Sequence, residues 1–216
     1  MVYRNKCRMR ICPRGLLLDS VYSALRIGRG KPLKRLLLLT GSPGVGKSTV
    51  LLHIVEALKA RGYRVGGMVT REARSNVMRV GFEILDLSSG RHGWLARVNE
   101  PVGPQVGRYR VNMHDLDGIG VQAILQAVES SDVVAIDEVG PMELFSERFR
   151  DAVKKAMESG KLVVGVVHWR ATTKLIDELK ANPDAEAYVV TRENREKLQE
   201  VIVEKAVDFL GHGQSK

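Results

Sequence analysis

Two rhythms of apolar residues run along the chain, and the points where one gives way to the other outline its architecture. "LLLL" at 36–39 is an uninterrupted apolar run that fits a strand covered on both faces, as in a parallel sheet. Beyond a glycine-rich stretch, Val50, Ile54 and Leu58 recur at helical spacing with Leu51 and Val55 beside them, and Gly62 marks the stop. "YRVGGMVTRE" supplies the next strand. From Arg79 the period drops to two, with Val80, Phe82 and Ile84 on one face, "SSG" as a turn and "RHGWLARV" as the return. That predicts a β-hairpin inserted into the α/β order.

"GRYRVN" at 107–112 reads as another short strand, and Leu116, Ile119, Ala123, Ile124, Ala127 and Val128 then mark an amphipathic helix. "DVVAID" is a buried strand. A helix through Phe145, Phe149, Ala152, Val153 and Ala156, the strand "LVVGVV", a helix at Leu175, Ile176 and Leu179 and the strand "AYVV" follow. The last helix carries Leu198, Val201, Ile202, Ala206 and Phe209, with Thr191 as its expected N-cap and Glu193 in its first turn. Strands alternating with helices predict an α/β three-layer αβα sandwich, its sheet mostly parallel.

Charge divides the chain unevenly. Residues 1–35 hold ten Lys or Arg against one acid, Asp19, whereas residues 36–216 hold 24 of each sign, so the net charge of +9 belongs to the N-terminus. We expect a basic extension over 1–34 and one folded domain over 35–212. A basic arm can bind nucleic acid, but this one has no nucleic-acid fold and few aromatics for stacking, so a solvated tail is favoured over that partner. No apolar run reaches the roughly 18 to 20 residues of a membrane span, and no secretory signal pattern opens the chain. Cys7 and Cys12 lack a nearby histidine to complete a metal tetrad. These features predict a cytoplasmic protein.

Gly41-Ser42-Pro43-Gly44-Val45-Gly46-Lys47-Ser48 satisfies G-x-x-x-x-G-K-S/T between a strand and a helix, with Thr49 next in the chain. The glycines let successive N–H groups turn toward phosphate oxygens, with the helix N-terminus behind them. Lys47 is expected to reach the β- and γ-phosphates, and Ser48 to ligate Mg²⁺. The buried strand "VVAID" ends at Asp137, at the sheet edge where open α/β folds bind ligands, so Asp137 is the second expected Mg²⁺ ligand. Glu138 follows at once and is placed to deprotonate or orient an attacking water. D-x-x-G strings occur at Asp115 and Asp137, but the chain has no N-K-x-D for guanine, which argues against a GTPase of the familiar kind.

"GSPGVGKST", "GGMVTREAR", "RVGFEILDLSSG", "VGRYRVN", "IDEVGPMELFSERF" and "VVTRENREKL" together resemble the nucleoside-triphosphatase family first described from thermophiles, which includes the cancer-related nucleoside triphosphatase. The resemblance spans about Leu36 to Leu210. It implies a P-loop NTPase fold, Mg²⁺ and hydrolysis of several nucleoside triphosphates with weak base preference. It also makes Thr70, Glu72 and Arg74 candidates for the site wall and Asn194 and Arg195 for the nucleotide's surroundings. "VVHWR" at 166–170 departs from the family's proline-containing loop, which raises His168 or Arg170 as a γ-phosphate contact or as plain loop residues. Seven arginines between 71 and 110 (71, 74, 79, 91, 97, 108, 110) include possible transition-state partners, although an inserted hairpin places alternate residues in water. Two further readings stay open on the sequence: a P-loop kinase that phosphorylates a nucleoside, nucleotide or nucleic-acid end, and a non-enzymatic nucleotide switch.

Overall fold

The computed structural model describes residues 33–213. The expected basic extension, apart from Leu33 and Lys34, lies outside the described residues, as do Cys7 and Cys12. Among the described residues nine strands form one sheet in the order β5-β6-β4-β3-β2-β7-β8-β1-β9. They are β1 (Leu36–Thr40), β2 (Val65–Ser75), β3 (Met78–Asp86), β4 (His92–Arg97), β5 (Gln105–Val106), β6 (Tyr109–Val111), β7 (Val133–Val139), β8 (Leu162–Val167) and β9 (Ala185–Val189). The helices are α1 (Lys47–Ala60), α2 (Gln122–Ser130), α3 (Glu147–Glu158), α4 (Lys174–Ala181) and α5 (Arg195–Gly213).

The parallel half of the sheet is β2, β7, β8, β1 and β9, each paired in parallel with its neighbour. Alternation along β1 shows how it is covered. Leu36 and Leu38 belong to a core with residues of α2, α3 and α4, whereas Leu37 and Leu39 belong to a second core with residues of α1 and α5. All four leucines are buried, as the unbroken apolar run predicts, so the sheet is sandwiched between two helical layers. α1 and α5 lie together on one side, joined by Ile54 and Ile202 in their shared core and by His53 Nδ1 with Gln199 Oε1 at 2.6 Å.

The inserted hairpin is larger than its sequence suggested. β3 and β4 form it, but β6 and β5 extend it, so four antiparallel pairings run from β2 outward. Its turn is built on buried Asp86, whose carboxylate accepts the N–H groups of Ser88 and Ser89 and the Ser89 hydroxyl. β2 serves both halves. Its pairing with β7 stops at Met68 and Ile136, while its pairing with β3 runs on to Ser75 and Met78. Thr70 to Ser75 thus runs on beyond the pairing with β7 over about 17 Å, at about 3.3 Å per residue.

The amphipathic segment after β6 is not one regular helix. A short α-turn at Met113–Asp115 leads into a π-helical stretch, Leu116–Val121, before α2 begins. Gly118 and Gly120 fall in that stretch, where a wider turn brings Gly120 close to Met68 Sδ. Thr191 acts at the start of the last helix as expected, with its hydroxyl accepting from Asn194 N at 3.3 Å. Regular helix begins only at Arg195.

Candidate active site

The glycine-rich loop leaves the end of β1 and turns into α1 at the edge of the parallel strands. Two glycines are required by their surroundings. Gly41, at φ 147°, packs so close that a Cβ would stand 2.5 Å from the Val190 carbonyl oxygen. Gly46, at φ 100°, heads α1 in the left-handed region and supplies no side-chain cap. The first amides of α1 are therefore left to an external acceptor, which is the chemistry of a phosphate site. Ser42, Pro43, Gly44 and Thr49 are exposed around the loop, and Val45 packs partly onto the core shared by α1 and α5. Lys47 Nζ donates to Gly41 O at 3.1 Å and to Ser42 O at 3.4 Å, so its ammonium lies inside the loop's curve.

β7 brings the acids to the same edge. Asp137 is 1% exposed, takes a hydrogen bond from the Ser48 side chain, and accepts from Thr70 Oγ1 at 3.3 Å. Burial is the main cause that pushes its pKa up to about 6, reinforced by the charge of Glu138 and opposed by the Ser48 and Thr70 hydrogen bonds. Glu138 follows through a cis peptide bond. Burial also raises its pKa above the ordinary carboxylate range, and the charge of Lys47 opposes that rise. Two expected Mg²⁺ ligands, Ser48 and Asp137, thus meet as one hydroxyl and one buried carboxylate, hard oxygen donors suited to that ion. Among the described residues no group of three His, Cys, Asp or Glu could hold a metal alone. A site with so few protein donors fits an ion shared with substrate phosphates and water.

A third acid enters from the turn after β7, and sequence reasoning gave it no role. Glu143 is 4% exposed, and burial pushes its pKa up to about 8, with the charges of Glu138 and Asp137 adding to the rise. Glu138 and Glu143 flank Gly140: a Cβ there would lie 2.8 Å from Glu138 Oε1 and 3.2 Å from Glu143 Oε2. The available signal was an acid between Met142 and Leu144-Phe145 in an otherwise apolar turn.

The remaining expected wall residues separate. Thr70 reaches the site through Asp137. Glu72 and Arg74 do not: they pair with each other at 2.8 Å on the projecting ribbon, where Arg79 also binds Glu72 at 2.7 Å. Arg195 stands over the loop, its Nη1 3.4 Å from where a Gly46 Cβ would lie. Asn194 is engaged by main chain, accepting from Thr191 N and donating to Val189 O. His168 sits at the end of β8, while the Arg170 side chain is exposed.

Most of the seven arginines have local partners. Arg79 and Arg108 both donate to Tyr109 Oη and stack over its ring, Arg97 pairs with Glu100 and stacks on Trp94, and Arg91 and Arg110 donate to backbone carbonyls. Arg71 is exposed beside a pocket of about 190 Å³ that Glu83 and His92 also line. A larger hollow of about 520 Å³, lined by Arg35, Lys154 and Asn182, opens at the opposite end of β1 from the phosphate loop.

A phosphate loop, a hydroxyl at its helix head and a buried strand-end carboxylate facing it define a P-loop nucleotide-binding protein. Comparison with known proteins narrows this. A family profile described as NTPase matches residues 36–203. The nucleoside-triphosphatase THEP1 of Thermofilum pendens is 46% identical over 162 residues, covering 74% of this chain and 89% of that protein. THEP1 of Methanothermobacter thermautotrophicus is 39% identical over 175 residues, covering 81% and 98%. Among solved structures, THEP1 from Aquifex aeolicus matches with a TM-score of 0.68 at 31% identity, over 77% of this chain and 96% of that one. A human cancer-related nucleoside triphosphatase matches at 0.68 and 34%, over 79% and 96%. The chain belongs to the THEP1 nucleoside-triphosphatase family.

Proposed function

We propose that the protein is a Mg²⁺-dependent hydrolase of nucleoside triphosphates, cleaving ATP, GTP, CTP and UTP to the diphosphate and phosphate with little preference for the base. The observation that carries this reading is the meeting of Ser48 with Asp137 at the head of α1, with Glu138 next in the chain and under the influence of the Lys47 charge. Loop amides and Lys47 hold the β- and γ-phosphates, while Ser48 and Asp137 hold the ion. Mg²⁺ there supplies neutralisation of charge on the phosphate oxygens. Glu138 takes a proton from water as the water oxygen bonds to the γ-phosphorus and the bond from that phosphorus to the bridging oxygen breaks. Burial supports Glu138 in this role, because a carboxylate of raised pKa is a stronger base nearer neutral pH.

Weak base preference is supported by what surrounds the loop. Asn194, the amide expected near the nucleotide, is spent on Thr191 and Val189, and Arg195 offers a guanidinium suited to phosphate or to any base face. The test is phosphate release from each of the four triphosphates with and without Mg²⁺, alone and with added nucleosides, nucleoside monophosphates or RNA. Acceptor-independent release is expected, lost in Lys47→Ala, while Glu138→Gln binds nucleotide but turns it over at least about 100-fold more slowly. Phosphate appearing only on an added acceptor would make the protein a kinase instead, and full turnover in Glu138→Gln would remove that residue as the base.

A further inference from the structure

β8 lies between β7, which ends in the acids, and β1, which feeds the phosphate loop. His168 follows it directly, and its backbone N–H donates to Val139 O at 3.1 Å, which fixes it beside the residue after Glu138. The imidazole is fixed as well. Its Nδ1 accepts the backbone N–H of Ala171 at 2.9 Å and that of Arg170 at 3.3 Å. A ring nitrogen that accepts amide hydrogens carries none itself, so the hydrogen of the neutral ring sits on Nε2.

Charge is suppressed on the same ring. Burial lowers the pKa of His168 below its ordinary value, and the nearby charge of Lys47 lowers it further. The result is a neutral ring with a set tautomer, held by its own loop, presenting one N–H donor on the side away from that loop. The charge of the lysine that holds the γ-phosphate reaches the ring, and its backbone is bonded to the residue that follows the acid that activates water. What develops between that lysine and that acid during hydrolysis is negative charge on the terminal phosphoryl oxygens. A fixed neutral donor answers that charge without repelling Lys47.

We propose that His168 is a catalytic residue whose Nε2–H hydrogen-bonds a terminal oxygen of the bound triphosphate and strengthens that bond as the γ-phosphoryl group transfers. The inference rests on the triphosphatase reading and assigns within it the group that senses the third phosphate. Arg170, whose side chain is exposed, contributes its backbone N–H to the ring.

The competing role for His168 is to cap the loop at 168–171 and nothing more. Two substitutions separate these roles, because asparagine retains an acceptor near Nδ1 without the distal donor, and glutamine reaches the distal position without the acceptor. His168→Asn is expected to keep the melting temperature and ADP affinity of the wild type while kcat falls by about 100-fold, the order seen for loss of one oxyanion donor. His168→Gln is expected to retain more turnover than His168→Asn. Wild-type kcat in His168→Asn would overturn the proposal, as would a loss of activity in both variants that only follows a loss of melting temperature.

A measurement independent of turnover completes the test. In ¹⁵N-labelled protein the His168 ring should show the Nε2–H tautomer, and its signal should shift with a non-hydrolysable triphosphate and not with ADP. A shift with neither nucleotide, in protein that releases phosphate normally, would refute the contact and leave the hydrolase reading standing. Absence of phosphate release from every triphosphate would instead refute the hydrolase reading, whatever the ring signal does.

Discussion

Thr70 Oγ1 donates to Asp137 Oδ2 at 3.3 Å, and the two residues belong to different halves of the sheet's design. Asp137 lies near the carboxyl end of the parallel strand β7, whereas Thr70 stands on β2 just past its pairing with β7, where the strand continues as antiparallel ribbon. The hydroxyl orients a carboxylate that is expected to hold the metal. Groups of this kind, which touch a ligand and not the ion, typically change metal affinity by about 10- to 100-fold. Thr70→Val should raise the Mg²⁺ concentration for half-maximal turnover by about tenfold with an unchanged melting temperature, and Thr70→Ser should restore it. An unchanged Mg²⁺ titration in Thr70→Val would show that the hydroxyl does no orienting.

Glu143 makes a prediction about pH. Folded, it holds its proton up to about pH 8; unfolded, it releases it near roughly pH 4.3. Between those values the unfolded chain binds fewer protons than the folded one, so stability falls as pH rises through the window. Asp137, pushed up to about 6, contributes a slope of the same sign over the lower part. Thermal melts of nucleotide-free protein should therefore show a melting temperature that declines between about pH 5 and pH 8. Glu143→Gln should flatten the upper part of that decline and be the more stable form at pH 8. A wild-type melting temperature that rises across the window would contradict a buried Glu143 that keeps its proton in the folded state.

The arginine-rich ribbon predicts a stability effect with little effect on turnover. Tyr109 Oη accepts from Arg79 Nε at 2.9 Å and Arg108 Nε at 3.0 Å, and both guanidiniums stack on its ring. Tyr109→Phe keeps the stacking and removes both hydrogen bonds. It should cost about 1 to 2 kcal/mol by denaturant titration. Turnover should stay within about twofold, since these arginines hold the ribbon together. A large loss of kcat at unchanged stability would instead place Arg79 or Arg108 at the transition state.

The legibility of these features in the sequence follows from how local their causes are. The phosphate loop and Asp137 were readable because each depends on a short string between a strand and its neighbour. The two helical layers were readable because β1, β7 and β8 are apolar runs. β5 and β6 are too short for an alternation pattern to show how far the antiparallel wing extends. The π-helical stretch at Leu116–Val121 packs against Met68, which lies far away in the chain. The pairing of Glu72 with Arg74 and Arg79 depends on how β2 continues into the antiparallel ribbon, which joins residues apart in the chain. His168 was visible as a departure in a loop, but its ring orientation depends on amides that only the folded turn supplies.

The four leucines of β1 raise a matter of alignment. A strand that slips by one residue exchanges its two faces, and usually that slip is resisted because polar and apolar side chains change places. Here Leu36, Leu37, Leu38 and Leu39 are interchangeable, so the greasy middle of the strand says nothing about its own position. Its ends say it. Arg35 pairs with Asp184 at 2.9 Å below the strand, and at the top Val190 N donates to Thr40 O at 2.7 Å while Gly41 fits beneath the Val190 carbonyl. A slip of one residue would carry the phosphate loop about 3.3 Å along the strand axis, a full hydrogen-bond length away from Asp137. An ion pair and a glycine thus serve as the two stops of a gauge, and the spacing they set is the height at which the nucleotide meets its acids.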